Sequence, residues 1–473
     1  MLFNSLIFVV FFFAVYTLYL VLHRHLRAQN RFLLLASYIF YGYWDWRFLS
    51  LIFISTLVDY YLGRTIYRTE KEVKRKRLLI LSVLANLSLL GFFKYFNFFA
   101  DSFSGVLDLF GMEAGFVTLN IVLPVGISFY TFQTMSYTID IYRRKAQPTD
   151  SFLDFALFVS FFPQLVAGPI ERAVNLLPQI TAPRTFTVDQ INSGIFLLLW
   201  GYFKKVVIAD NVALIANQVF DGYTEYQGLD IVIGVLAFTV QIYCDFSGYS
   251  DIARGLARLM GFELMVNFKL PYFALNPTDF WLRWHVSLSS WLRDYLYIPL
   301  GGNRGGSLYI QRNLALTMLL GGLWHGAAWN FVLWGAYHGL ILGIYRVFDK
   351  NPEHEDPWSG KNSPARIISK MSLMFVLTMI GWVIFRARSV HQIYYMLTNI
   401  GFGMSEDSLQ MTYRLLFFSL PLVAVQIYQY VKRDLLALLK LSEVARVVIY
   451  AALLIGILVF GYRDSAEFIY FQF

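Results

Sequence analysis

Apolar stretches of roughly membrane-spanning length recur from Leu2 almost to Phe473, and nothing else in this sequence restricts its fold so severely. With 57% hydrophobic residues and only 15% charged, the chain has more apolar surface than a water-soluble core can absorb, since soluble domains carry about 25% charged residues. The expectation is an all-α polytopic membrane protein in which residues 1–473 form one membrane domain.

The apolar runs fall at about 2–22, 32–45, 48–62, 78–98, 116–142, 153–170, 190–209, 229–245, 314–348, 369–386, 412–431 and 444–462. Several are too short to span. Together with Pro163, Pro169 and the break at Phe161-Phe162-Pro163, they point to tilted or re-entrant helices, which a bilayer permits only where other protein shields the backbone. The first run has no basic region before it and no small-residue cleavage site after it, so it is expected to be a retained helix.

The net charge of +8 sits largely in short loops, the pattern of cytoplasmic loops and not of a nucleic-acid surface. Arg24, Arg27 and Arg31, the run Glu70 to Arg77, and Arg143, Arg144 and Lys145 are therefore expected on the cytoplasmic side. The loop 100–116 holds Asp101, Asp108 and Glu113 without Lys or Arg and is expected outside, with the N-terminus. The polar stretch Asp349 to Lys370, with Pro352, Pro357 and Pro364, reads as an irregular extramembrane loop.

Between the eighth run and residue 314 lies the least membrane-like stretch of the middle. Asn276 or Thr278 is placed to cap a helix over Asp279 to Leu296. Trp281, Trp284, Leu288, Trp291, Leu292 and Tyr295 share one face of it and Arg283 and Asp294 the other, as in an interfacial helix. Pro299 and Gly301-Gly302-Asn303-Arg304-Gly305-Gly306 then form a turn.

His23, His25, His354 and His391 fall in or near loops, whereas His285, His325 and His338 lie on or inside membrane segments, where an ionisable side chain is costly and usually retained for a purpose. His325 sits in Gly321-Gly322-Leu323-Trp324-His325-Gly326-Ala327-Ala328-Trp329, whose small residues permit close approach of a backbone or a substrate. A structural histidine bonding a neighbouring helix fits that position equally well. His338 lies more than three turns further on and cannot meet His325 on one helix; beside Gly335, Gly339 and Gly343 it reads as structural. His285, at the edge of the tryptophan face, either bonds at the interface or points inward.

Other chemistries have less support. The sequence contains no GxGxxG after a strand, no P-loop, no HExxH and no Gly-x-Ser-x-Gly elbow. The single cysteine, Cys244, excludes an intrachain disulfide and a cysteine-built metal site, and an apolar setting keeps such a thiol protonated and inert. Asp245, Asp251 and Arg254, in the stretch beginning Cys244-Asp245-Phe246-Ser247-Gly248-Tyr249-Ser250-Asp251, read as caps and an ion pair before they read as a substrate guide.

Five segments together resemble the membrane-bound O-acyltransferase family, in particular its bacterial branch of alginate O-acetyltransferase membrane subunits. They are Phe129-Tyr130-Thr131-Phe132-Gln133, Phe162-Pro163-Gln164-Leu165-Val166-Ala167-Gly168-Pro169-Ile170, Asp245 to Asp251, Trp281 to Tyr297, and Leu323-Trp324-His325-Gly326. The resemblance implies a ring of tilted transmembrane and re-entrant helices around a central tunnel. It implies that His325, in the Trp-His-Gly motif, is catalytic and that His285 occupies a second polar position. It further implies a cytoplasmic acyl thioester such as acetyl-CoA as donor, no permanently bound cofactor and no metal, and O-acetylation of an exopolysaccharide. Membrane lipid surrounds such a chain, and separate periplasmic proteins are the expected partners that pass the acetyl group on. The alternatives are D-alanyl transfer to teichoic acid, against which the Phe280 to Gly306 segment and the ending Phe468-Ile469-Tyr470-Phe471-Gln472-Phe473 speak, and a transporter that performs no acyl chemistry.

Overall fold

The computed structural model describes residues 1–112, 119, 121–166, 168–348, 363–462 and 468–471, and all regular structure among them is helical. Glu113, Ala167, the 349–362 part of the polar stretch with Pro352, Pro357 and His354, and Gln472-Phe473 lie outside the described residues. Among the described residues eight helical runs are long and apolar enough to cross a membrane, including Leu26–Arg68, Glu72–Leu109, Val188–Asp221, Leu229–Leu259 and Trp329–Phe348. The chain divides into two compact units, Met1–Thr187 with Ala257–Leu264 and Gly326–Ala328, and Val188–Leu256 with Met265–His325 and Trp329–Phe473.

In the first unit, helices Leu26–Asp45 and Leu49–Arg68 form an antiparallel hairpin around helix Phe152–Ser160. Asn30 Nδ2 reaches Asp154 Oδ1 at 2.8 Å near the start of one arm, and the Tyr60 hydroxyl reaches the Asp150 carbonyl at 2.6 Å near the end of the other. Both helices outrun their apolar stretches, because their polar ends continue the helix inside protein contacts. The break before Pro163 is present: helix Phe152–Ser160 stops at Phe161, and Phe162–Leu165 restarts with Pro163 in its first turn, a position where a missing N–H costs nothing. Basic residues from separate segments, Arg64 and Arg75 on helices Leu49–Arg68 and Glu72–Leu90 and Arg144 just past helix Ile127–Tyr142, gather at one end of this unit. Arg144 donates to the Tyr67 carbonyl at 2.9 Å, Arg75 lies 5.1 Å over the Tyr142 ring, and Arg64 pairs with Asp150 at 3.0 Å.

In the second unit the run Val188–Asp221 is opened at residues 203–209 into π-helical turns, which bring Lys204 and Lys205 inward. It packs on helix Leu229–Leu259 backbone to backbone: a Cβ on Gly201 would stand 2.8 Å from the Gly248 carbonyl.

Four sequence expectations change here. The loop expected at 100–116 is helical as far as Leu109, as part of helix Phe96–Leu109. The apolar run 314–348 is two helices, Ser307–His325 and Trp329–Phe348, folded against each other. The glycines of the run serve that contact, since a Cβ on Gly322 would stand 2.2 Å from the Phe331 carbonyl and one on Gly335 2.4 Å from that of Met318. The expected helix over Asp279 to Leu296 is capped by Asn276, whose side chain accepts from the Asp279 N–H, but it is broken into Pro277–Arg283 and Val286–Leu292 and then widened at 293–297. Its backbone bonds are diverted: Lys269 N–H donates to the Arg283 carbonyl and Val286 N–H to that of Asn267, both at 2.9 Å. The polar stretch expected to run as a loop to Lys370 becomes helix at Pro364, because Ser363 caps it and Pro364 occupies its first turn.

Candidate active site

The break in the 277–292 segment places a histidine. His285 sits at φ 43°, in the left-handed region that a non-glycine residue adopts only when its surroundings compel it, and it is fully buried. The compelling contact is Asn267. The Ser287 backbone N–H and hydroxyl both donate to Asn267 Oδ1, at 3.3 and 3.0 Å, which fixes that atom as the oxygen. His285 Nδ1 faces the same atom at 3.1 Å and therefore carries its proton, leaving Nε2 as the basic nitrogen. Burial pushes His285 down to about 3, so the ring is neutral at physiological pH.

His325 is the last residue of helix Ser307–His325, 4% exposed, with its ring centroid 6.4 Å from that of His285. The remaining walls are aromatic. Trp334 lies 5.0 Å and Phe385 5.4 Å from His325, and Phe246 packs edge-on to His285 at 4.6 Å. Among the described residues two rings touch both imidazoles. Trp324 lies 5.1 Å from His325 and 5.9 Å from His285, and Tyr470 lies 5.6 and 6.4 Å from them. Burial raises the Tyr470 phenol above its ordinary range, so it keeps its proton until a base removes it.

His325 also lines a cavity of about 680 Å³. Trp281, Val286, Met318 and Trp334 give it apolar walls, Ser289 and Ser290 add hydroxyls, and Arg293, Tyr297, Asn303 and Arg346 supply its polar groups. The π-helical turn at 293–297 contributes both Arg293 and Tyr297. The arrangement suits a ligand with an apolar or acyl portion near His325 and an anionic or hydrogen-bonding portion at the arginines.

The structure thus brings His285 and His325 together and leaves His338 apart in role. His338 packs among Phe280, Trp281, Trp334 and Tyr337 at 4.7 to 6.0 Å, and it is not among the residues lining the cavity. His23 and His391 are exposed. Cys244 is buried and unbridged. Asp251 forms the expected ion pair, to Arg254 at 3.2 Å, and a second to Lys204 at 2.7 Å; Asp245 pairs with Lys205 at 2.8 Å. Among the described residues no group of three or more His, Cys, Asp or Glu converges as metal ligands do. Sequence reasoning missed Asn267 and Tyr470. Nothing local marks Asn267, since its role comes from contact with a side chain eighteen residues away. Tyr470 carried one signal, an aromatic terminal segment ending a chain whose last long apolar run stops at 462.

The membrane-bound O-acyltransferase family model matches residues 38–384. A probable alginate O-acetylase of Pseudomonas putida is 46% identical over 368 residues, covering 77% of this chain and 73% of that protein. A peptidoglycan O-acetyltransferase of Helicobacter pylori is 38% identical over 76% of this chain and 71% of its own length. A teichoic acid D-alanyltransferase of Bacillus subtilis is 27% identical, over 58% and 71%. The span-length helices and these bacterial relatives make this a multi-pass protein of the bacterial inner membrane. With a histidine pair walled by aromatic rings, a cavity reaching one member of it, and a family match over most of its length, the chain belongs to the membrane-bound O-acyltransferases.

Proposed function

We propose that this enzyme takes an acetyl group from a cytoplasmic thioester, acetyl-CoA or a related donor, and delivers it across the membrane for O-acetylation of an exopolysaccharide such as alginate. The observation that carries the reading is the pairing of His325 and His285 against a hydroxyl-bearing ring, with His325 also lining the cavity. The donor's acyl end would lie at His325 and its polar remainder toward Arg293 and Arg346. Acetyl is favoured over D-alanyl because the O-acetylating relatives match at 46% and 38% identity over three quarters of the chain, against 27% over 58%.

In this reading His325 is the general base. Help of that kind is typically worth about 10² to 10⁴ in rate. His285, held by Asn267 with its proton on Nδ1, presents Nε2 as an acceptor, and so orients a hydroxyl for attack and does not bond the carbonyl or the thiolate. Of the two rings touching both imidazoles, only Tyr470 carries a nucleophile, and we read it as the first acceptor. Its phenol oxygen bonds to the thioester carbonyl carbon while His325 takes its proton. The carbon–sulfur bond then breaks, and the thiolate recovers the proton from the imidazolium. The products are an acyl tyrosine and a free thiol. A phenol leaves more readily than an alkyl alcohol, so the acyl tyrosine can pass its group to a hydroxyl of a periplasmic partner and thence to polysaccharide.

The test is reconstitution in liposomes with acetyl-labelled acetyl-CoA supplied at the cytoplasmic face. Wild type should transfer label, with labelled Tyr470 recovered by mass spectrometry, and His325→Ala and His285→Ala should lose most of the transfer. Undiminished transfer by His325→Ala sinks the mechanism. Transport of a lipid-linked sugar that survives His325→Ala, with no acyl transfer in wild type, would favour a transporter.

A further inference from the structure

The terminal segment is held by more than ring packing. Phe468 and Tyr470 pack on Tyr249 and Phe246, contacts that fix no direction. A directional contact accompanies them. Asp245, 2% exposed on helix Leu229–Leu259, accepts the Ile469 backbone N–H on Oδ2 at 2.7 Å, while its Oδ1 pairs with Lys205 Nζ at 2.8 Å. Lys205 is itself presented by the π-helical turns at 203–209 and is also bonded to Asp210 at 2.8 Å.

We propose that Asp245, held by Lys205, is the anchor that pins the backbone of segment 468–471 to helix Leu229–Leu259 and so keeps Tyr470 seated against His325, making both residues positioning residues for acyl transfer. This rests on the reading of Tyr470 as acceptor. One helix supplies all three contacts. Asp245 fixes the backbone at 469, Phe246 packs on Tyr470 at 4.5 Å, and Tyr249, one turn on, packs on Phe468 at 4.5 Å. A hydrogen bond from a backbone amide to a buried carboxylate is stronger and more directional than ring contact, and losing it would leave the segment held by ring packing alone. The charge arrangement explains why a lysine is present. A lone carboxylate at this depth would be costly, and Lys205, shared between Asp245 and Asp210, offsets that cost while leaving Oδ2 directed at the segment.

The experiment uses the full-length protein in lipid nanodiscs, with acetyl-CoA as donor and hydrogen exchange of the C-terminal peptide read by mass spectrometry. Asp245→Asn keeps the shape, leaves Lys205 paired with Asp210, and weakens the anchor. Exchange of the C-terminal peptide should speed up by about tenfold or more, and kcat should fall by about tenfold or more with donor KM unchanged, because the donor cavity is intact. Ile469→Pro removes the N–H itself without touching the buried charges, and should show the same kcat loss. Unchanged exchange in Asp245→Asn, or full kcat in Ile469→Pro, overturns the anchor. Tyr470→Phe tells the two readings apart. Full transfer by that variant overturns the acceptor reading and with it the catalytic purpose of the anchor. Loss of transfer there, beside normal transfer in Asp245→Asn, overturns the anchor alone.

Discussion

Each unit of this protein buries a polar cluster, and the two clusters are built on opposite principles. In the first unit Asp59 accepts from Ser82 at 2.6 Å and Asn86 at 2.8 Å, Asn86 accepts from Ser55 and Thr134 at 3.1 Å each, and the Ser82 and Thr138 hydroxyl oxygens lie 2.9 Å apart. Short polar side chains answer one another across three helices, as in a seam that ties helices together where hydrocarbon offers nothing else to bond with. In the second unit His285 and His325 are set among Phe246, Trp324, Trp334, Phe385 and Tyr470, and one of them lines a cavity of about 680 Å³. Burial of a polar group inside a membrane protein does not by itself mark a site. Polar saturation marks the seam, and aromatic walls with access to a cavity mark the proposed site.

The largest effect should fall on the histidine side. His325→Ala is expected to lower acyl transfer by about 10² to 10⁴ while the protein accumulates normally, measured as label transfer in proteoliposomes per milligram of folded protein. Loss of the folded protein in step with activity would erase the contrast with the seam. Next comes Asn267→Ala, which removes the oxygen that fixes the tautomer and setting of His285. A rate loss of about tenfold to a hundredfold is expected, matching about 1–3 kcal/mol for a lost buried hydrogen bond. Full activity there would mean that the left-handed backbone at His285 holds the ring without help.

What was legible in the sequence divides along the same line. Fold class and the break at Phe161-Phe162-Pro163 are local properties of composition and proline, and they stand in the structure as read, while the motif around His325 drew attention to a residue that the structure places on a cavity wall and whose role is proposed. The hairpin within 314–348 was not legible, because glycine at 322 and 335 signals close approach without saying that the partner is the next helix of the same run. The break at His285 was invisible for a related reason. The periodicity of Trp281, Trp284, Leu288 and Trp291 is helical throughout, and it is overridden by bonds from residues 267–269, a contact that no window along the segment contains. Tyr470 is the far end of the same difficulty, since the residue packed beside it, Phe246, lies more than two hundred positions earlier.

The seam side supplies the converse experiment. Asn86→Ala leaves the Asp59 carboxylate and the Ser55 and Thr134 hydroxyls without a partner they now use, and should cost about 1–3 kcal/mol of stability, seen as an earlier thermal transition in nanodiscs. Transfer per folded molecule should be unchanged. A selective loss of transfer at full stability would make the seam part of the catalytic apparatus and dissolve the distinction.

The smallest effect is expected at His338, the histidine that tests the rule most sharply. It is buried, it lies in a membrane-length helix, and Trp334 touches both it and His325, at 4.7 and 5.0 Å, so a criterion of burial or proximity would count it with the site. Aromatic walls alone would count it too, since Phe280 stacks on it at 6.0 Å and Trp281 meets it edge-on at 5.1 Å. Among the described residues it neither lines the cavity, as His325 does, nor packs on His325, as His285 and Tyr470 do. His338→Phe keeps a flat ring in an aromatic slot, and its main strain is the added bulk toward Gly381, where a Cβ would already stand 3.0 Å from the imidazole. The expected cost is under about 1.5 kcal/mol of stability with transfer kinetics unaltered, as for other shape-conserving core swaps. A loss of kcat comparable to that of His325→Ala, with the thermal transition unmoved, would show that a proton passes through Trp334's neighbourhood to His338 and that cavity access is the wrong criterion.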